Sequence, residues 1–221
     1  MTLPDRRVAL RAMCGAILAV SVATRASAAT SPRGASASRL SSWTTQTLEA
    51  FADTLIPGES RWSSDHAVPG VVRGPGAVHA GAMDVLADES LPLRPLLPGI
   101  AALLNARATG YALERLIPLP VTRPPFVGLS FAHRTYLLQI LTGDGDADLG
   151  VWQVLSLVTC LAFDTAGQDD TTHAARTGHP GLSWIGFPQP DSSGRWTFPE
   201  HSYRSVLAPQ HPRTTTSGSP A

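Results

Sequence analysis

The sequence predicts an all-α fold, a small bundle of about five helices with an extended C-terminal arm rich in proline and aromatic residues. Three observations carry this. Apolar residues recur at helical spacing in separate stretches, several of them bracketed by capping and breaking residues. A chain of 221 residues that is 43% hydrophobic and 15% charged is long enough for one domain with a core and too short for two large ones. Nineteen Gly and nineteen Pro set many turns between the elements.

The first helix is the clearest. Leu48, Phe51, Ala52, Leu55 and Ile56 fall on one side of a helical turn. Thr44 or Thr45 caps its start, and Pro57 removes a backbone donor and ends it. Asp53 and Pro57 read as structural, fixing the helix end and turning the chain into a long loop from Gly58 to Pro75. A second helix is expected from Pro75-Gly76, with Val78, Ala82, Val85 and Leu86 on one face. A third runs from about Gly99 to Leu116, with Ile100, Leu103, Leu104 and Tyr111 on a stripe. Arg107 lies in that stripe, where its stem packs and its head reaches solvent or a carboxylate. Pro118, Pro120, Pro124 and Pro125 make a rigid extended connector. Ser130 caps a fourth helix carrying Phe131, Arg134, Leu137, Leu138 and Leu141, stopped by Gly143-Asp144-Gly145. The fifth, about Leu149 to Ala166, is apolar nearly all round and is expected at the centre of the bundle. Asp53 and Asp164 call for basic partners, with Arg134 or Arg107 as the candidates. Residues 168–221 form the arm, fraying after about residue 212; it carries Trp184, Phe187, Trp196, Phe198 and Tyr203.

The first residues read as an export signal. Arg6-Arg7 precede an uncharged run from Ala12 to Thr24, and Ala26-Ser27-Ala28 supplies the small residues that a signal peptidase requires. The paired arginines point to the twin-arginine pathway, whose cargo crosses the membrane folded. The uncharged run is shorter than the ~20 residues of a permanent span. Cleavage after Ala28 leaves 13 Arg against 16 acidic groups, a net charge of −3, with Cys160 as the one cysteine and no internal disulfide. Residues 29–41 read as a flexible leader into a helical domain at 42–167. Every basic residue is Arg, and none clusters beyond the signal, so nucleic-acid binding has no electrostatic footprint.

Most candidate chemistry fails on inspection. Asp144-Gly145-Asp146-Ala147-Asp148 alternates carboxylates like a calcium loop, but Leu149 holds the turn-glycine position and Leu155 the bidentate-glutamate position. Gly74-Pro75-Gly76 lacks the preceding strand and following Lys of a phosphate loop. The seven histidines show no helical i, i+4 pair and no cysteine at zinc spacing, which leaves at most a site built from some of them with Asp53, Asp169 or Asp170. There is no nucleophile elbow, and Cys160 lies in the apolar helix, where a thiol packs. No catalytic, cofactor-binding or metal residue is therefore assigned.

The segments Leu48 to Pro57, Gly74 to Ala77 and Leu129 to Leu138 together resemble the gluconate 2-dehydrogenase subunit 3 family, in a divergent actinobacterial form. The resemblance covers roughly residues 41–166. His133 departs from it, standing where an acidic residue usually completes the capping box, and so does the arm. Members are small subunits, usually with a twin-arginine signal, that accompany a large FAD-containing dehydrogenase of the glucose-methanol-choline type and often a cytochrome c subunit. The resemblance implies an exported accessory subunit that binds no cofactor itself and escorts and stabilises a flavoprotein oxidising an alcohol or sugar. Asp53, Pro57, Ser130 and Arg134 would be its structural motif, and Trp62, Trp184, Phe187, Trp196, Phe198 and Tyr203 its contacts with the partner. The alternatives are a stand-alone exported metal-dependent enzyme and a cell-surface structural protein.

Overall fold

A computed structural model describes residues 40–65, 67, 70–189 and 192. Within them the chain forms eight α-helices and no strand, the all-α bundle that periodicity predicts. The helices are α1 (Ser42–Leu55), α2 (Ala82–Leu86), α3 (Leu97–Glu114), α4 (Pro125–Gly128), α5 (Phe131–Leu141), α6 (Leu149–Thr165), α7 (Thr171–Thr177) and α8 (Pro180–Trp184), with a 3-10 turn at Arg94–Leu96.

α1 is the hub, packing against α2, α3, α4, α5 and α6. Leu48, Phe51 and Ala52 are buried on its expected face, and the core also takes in Thr47 and Asp53. Ser41 caps the helix in place of Thr44 or Thr45, which lie inside its first turn, its hydroxyl accepting from the Thr44 N–H at 3.2 Å. Thr47 ties α1 to two neighbours through Asn105. The Asn105 amide donates to the Thr47 hydroxyl at 2.9 Å, and its carbonyl accepts from the Phe126 N–H at 3.1 Å. α6 buries Trp152, Val154, Leu155, Val158 and Ala162, meeting α2, α1 and α8.

Arg107 reaches carboxylates as its position suggests, lying 2.9 Å from Asp148 and 3.3 Å from Asp146. Asp146 also accepts from the Trp152 indole at 3.3 Å. The alternating aspartates thus lock a turn. Asp164, for which a partner was expected, is exposed and has no buried charge to offset.

Three stretches differ from expectation. The helix anticipated from Pro75 starts at Ala82, because Gly81 sits in the left-handed region at φ 89° and residues 77–81 form an irregular turn instead. The proline connector closes into α4 at Pro125, where proline is pre-set for a first helical position. The start of the arm folds. The Asp170 carboxylate caps α7 by accepting from the His173 N–H at 2.9 Å, and His179 followed by Pro180 opens α8. His179 Nδ1 accepts from the Leu182 N–H at 3.3 Å, so its Nε2 carries the proton and donates to the Ala80 carbonyl at 2.9 Å. The Gln168 amide donates to the same carbonyl at 2.9 Å. Ala166, Ala174, Ala175 and Leu182 form a second small core, against which Phe187 packs half-buried.

Among the described residues, two other than glycine adopt positive φ, Ala166 (49°) and Leu116 (55°). Leu116 follows the end of α3. The Leu116 N–H donates to the Leu113 carbonyl and the Ile117 N–H to the Ala112 carbonyl, the pair of bonds that closes a helix through a left-handed residue, usually glycine. A leucine there strains against its own carbonyl. Leu116→Gly is expected to raise stability by up to about 1 kcal/mol, seen as a higher chemical-denaturation midpoint at unchanged m-value.

Candidate functional site

The loop after α1 is held by backbones that cross. A Cβ on Gly58 would lie 2.1 Å from the Gly76 nitrogen, and a Cβ on Gly76 would lie 2.6 Å from Asp53 Oδ1. Only glycine fits at either place. The Ala77 N–H then donates to the Ile56 carbonyl at 2.9 Å, and the Val78 N–H to Asp53 Oδ1 at 3.0 Å. Glu59 and Gly74 add a second closure, the Glu59 N–H donating to the Gly74 carbonyl and the Gly74 N–H to the Glu59 carboxylate.

Charge fills the space beneath the loop. Arg61 places Nε 2.6 Å from Asp65 and Nη2 3.6 Å from Glu49 and 4.0 Å from Asp53. Asp65 accepts from the Ala67 N–H at 3.0 Å, and Arg134, buried on α5, donates to the Ala67 carbonyl at 3.4 Å. Asp53 Oδ2 and Arg134 Nε are buried without a hydrogen-bond partner. Burial pushes the Asp53 carboxyl up to about 6 against the Val78 hydrogen bond and the Arg61 charge. It pulls Arg134 down to about 10, opposed by the charges of Asp53 and Asp65. Glu49 is likewise raised by burial.

Two aromatic groups stand on this platform. Trp62 is 55% exposed, with the Arg61 guanidinium 4.9 Å from its ring centre. Trp184 is 57% exposed and lies against Gly74, where an added Cβ would come within 2.9 Å of its ring. The structure therefore brings together Asp53, Pro57, Arg134 and Trp62, adds Trp184 through the folded start of the arm, and turns Phe187 toward its own chain. Ser130 caps α5, accepting from the His133 N–H at 3.3 Å. Trp196, Phe198, Tyr203 and the signal residues Arg6, Arg7, Ala26 and Ala28 lie outside the described residues. Sequence reasoning missed Glu49, Arg61 and Asp65; an i, i+4 Arg-Asp pair inside a loop bracketed by Gly58 and Gly76 was the available sign.

Elsewhere, a shallow apolar groove of about 390 Å³ runs between α1 and α3, lined by Trp43, Pro98, Ala102, Asn105, Ala106 and Pro125. Among the described residues no group of three or more His, Cys, Asp or Glu is placed to hold a metal ion, and no helix is long and apolar enough to cross a membrane.

Fold and site together define a small helical protein whose buried charges fix a surface loop. The chain belongs to DUF5987, a family of unknown function, whose model matches residues 42–221. No curated protein and no solved structure matches it.

Two outcomes follow from the cluster. Because the Asp53 pKa is raised in the fold, its contribution to stability is present in acid and is lost as pH rises through about 6. Wild-type stability is expected to fall between about pH 4 and about pH 6.5 and to level off above it, and Asp53→Asn to flatten that slope in a urea titration series. Gly76→Ala is expected to cost roughly 2–4 kcal/mol, since neither the α1 carboxylate nor the crossing backbone can yield, and to speed proteolysis within residues 58–76.

Proposed function

We propose that this protein is an exported accessory subunit, not itself catalytic, that escorts and stabilises a flavin-dependent alcohol or sugar dehydrogenase of the glucose-methanol-choline type, with FAD held by the partner. One observation supports this reading above the others. The three separate segments that resemble gluconate 2-dehydrogenase subunit 3 contribute Asp53, Gly76 and Arg134 to a single buried cluster. Residues that read in the sequence as a motif thus act in space as one device, whose effect is to hold a loop and its tryptophan at the surface. On this reading the motif is structural, and the working surface is the exposed pair Trp62 and Trp184, large amphipathic groups of the type that dominate binding energy at interfaces. A twin-arginine signal on the small chain would carry the folded flavoprotein across with it.

Affinity purification of the chain from the exported fraction is expected to bring down a yellow, FAD-containing polypeptide. Trp62→Ala and Trp184→Ala are each expected to weaken that association tenfold or more while the purified subunit keeps its thermal midpoint within a few degrees. Recovery of a lone monomer at native expression overturns the reading, and stoichiometric zinc or iron in that monomer favours a stand-alone metal enzyme instead.

A further inference from the structure

Ala166 and Leu116, which strain into positive φ, each close a helix, but they are compensated differently. The Ala166 methyl is fully buried in the second core, so the strain is offset inside the chain. Leu116 is 91% exposed, in a position whose backbone favours glycine, and its side chain gains almost nothing from the rest of the molecule. It does not stand alone. Leu113 is 71% exposed one turn earlier, and Val121 is 90% exposed in the connector that follows. Beside this turn the Arg115 guanidinium lies 4.0 Å from the ring centre of Tyr111 and 5.5 Å from that of Tyr136. Tyr136 is itself exposed, with exposed Ile140 one turn along α5.

We propose that this end of the bundle is a docking tip for an anionic lipid surface, with Leu113, Leu116 and Val121 entering the interface and Arg115 and Arg123 meeting headgroup phosphates. The inference is independent of the accessory-subunit reading. Aliphatic groups this exposed present a partner with no flat or concave face to close on, whereas a lipid interface deforms around them. The charges agree. Arg115 is paired at the surface, 3.3 Å from exposed Glu114, and half-buried Arg123 has no ion pair among the described residues, which leaves residues 113–123 with one net positive charge. Tyr136 and the arginine stems suit the boundary between headgroup and acyl chain, where amphipathic side chains place an apolar body inward and a polar end outward.

The test uses the full chain with Cys14→Ser, Cys160→Ser and Thr122→Cys, carrying an environment-sensitive nitrobenzoxadiazole dye at position 122. A matched chain carries the dye at Ser183→Cys on α8, so that insertion of the tip is read separately from any binding by the N-terminal apolar run. With phosphatidylcholine vesicles containing roughly a third phosphatidylglycerol, the dye at 122 is expected to shift to the blue and the dye at 183 to stay unchanged. Adding Leu116→Gly, which suits the backbone and keeps the fold, is expected to raise the lipid concentration for half-maximal shift roughly fivefold. A silent dye at 122, an equal shift on pure phosphatidylcholine, or no effect of Leu116→Gly overturns the proposal. So does a blue shift that appears without vesicles, which would mean that the tip meets a second copy of the chain.

Discussion

A carboxylate withdrawn from water has to be met by hydrogen bonds or opposite charge, and Asp53 is withdrawn completely. It sits on α1, the helix that touches five others, and one of its oxygens takes the backbone N–H of Val78, twenty-five residues away. That bond is possible only because Gly76 brings the returning chain to the carboxylate. The other oxygen has Arg61 at 4.0 Å and no hydrogen bond. The position of the loop, the crossing of its ends and the burial of Arg134 are therefore coupled. Loss of any one leaves a charge or an N–H in a place that water does not reach. Such a cluster contributes little net stability against an apolar core of equal volume, but it does specify one loop position among many.

The main helices were legible because burying one face of a helix imposes a spacing that survives in sequence. Leu48 to Ile56, Phe131 to Leu141 and Val151 to Phe163 show it, and Ser130 caps as its place before Phe131 implies. α7 and α8 were not legible, since helices of seven and five residues are too short to display a period and owe their existence to Asp170, Gly178, His179 and Pro180 at their ends. Capping residues in a Gly- and Pro-rich stretch look like loop. Asp53 and Arg134 could be marked as needing partners, but pairing is a fact of three dimensions. Arg107 went to Asp146 and Asp148, and the Asp53 side of the cluster was supplied by Arg61, from a loop with no periodicity at all.

Two groups of exposed apolar side chains stand out, a tryptophan pair on the loop and α8, and an aliphatic tip where α3 ends beside α5. They differ in how they are held. Trp62 and Trp184 stand on a platform tied by hydrogen bonds, ion pairs and close backbone approach, so little freedom remains to be lost when they are covered. The tip is carried by a strained turn and a proline-rich connector. Rigid aromatic groups suit a shaped protein surface, and aliphatic groups on a turn suit a soft one. One chain can in this way present two unlike surfaces.

The crossing of Gly58 and Gly76 also has a consequence for how such a chain can diverge. Joining the two ends of a loop costs entropy that grows only with the logarithm of its length, so doubling the segment between them would add about 0.6 kcal/mol. The helix, the carboxylate and the two glycines fix where that segment leaves and returns, and nothing in that anchorage depends on how many residues lie between. Insertions that leave Glu59, Arg61, Asp65, Ala67 and Gly74 in place can therefore accumulate between the glycines while the bundle stays unchanged. The part of the surface freest to be rebuilt for a new partner is the part whose two ends are most firmly placed.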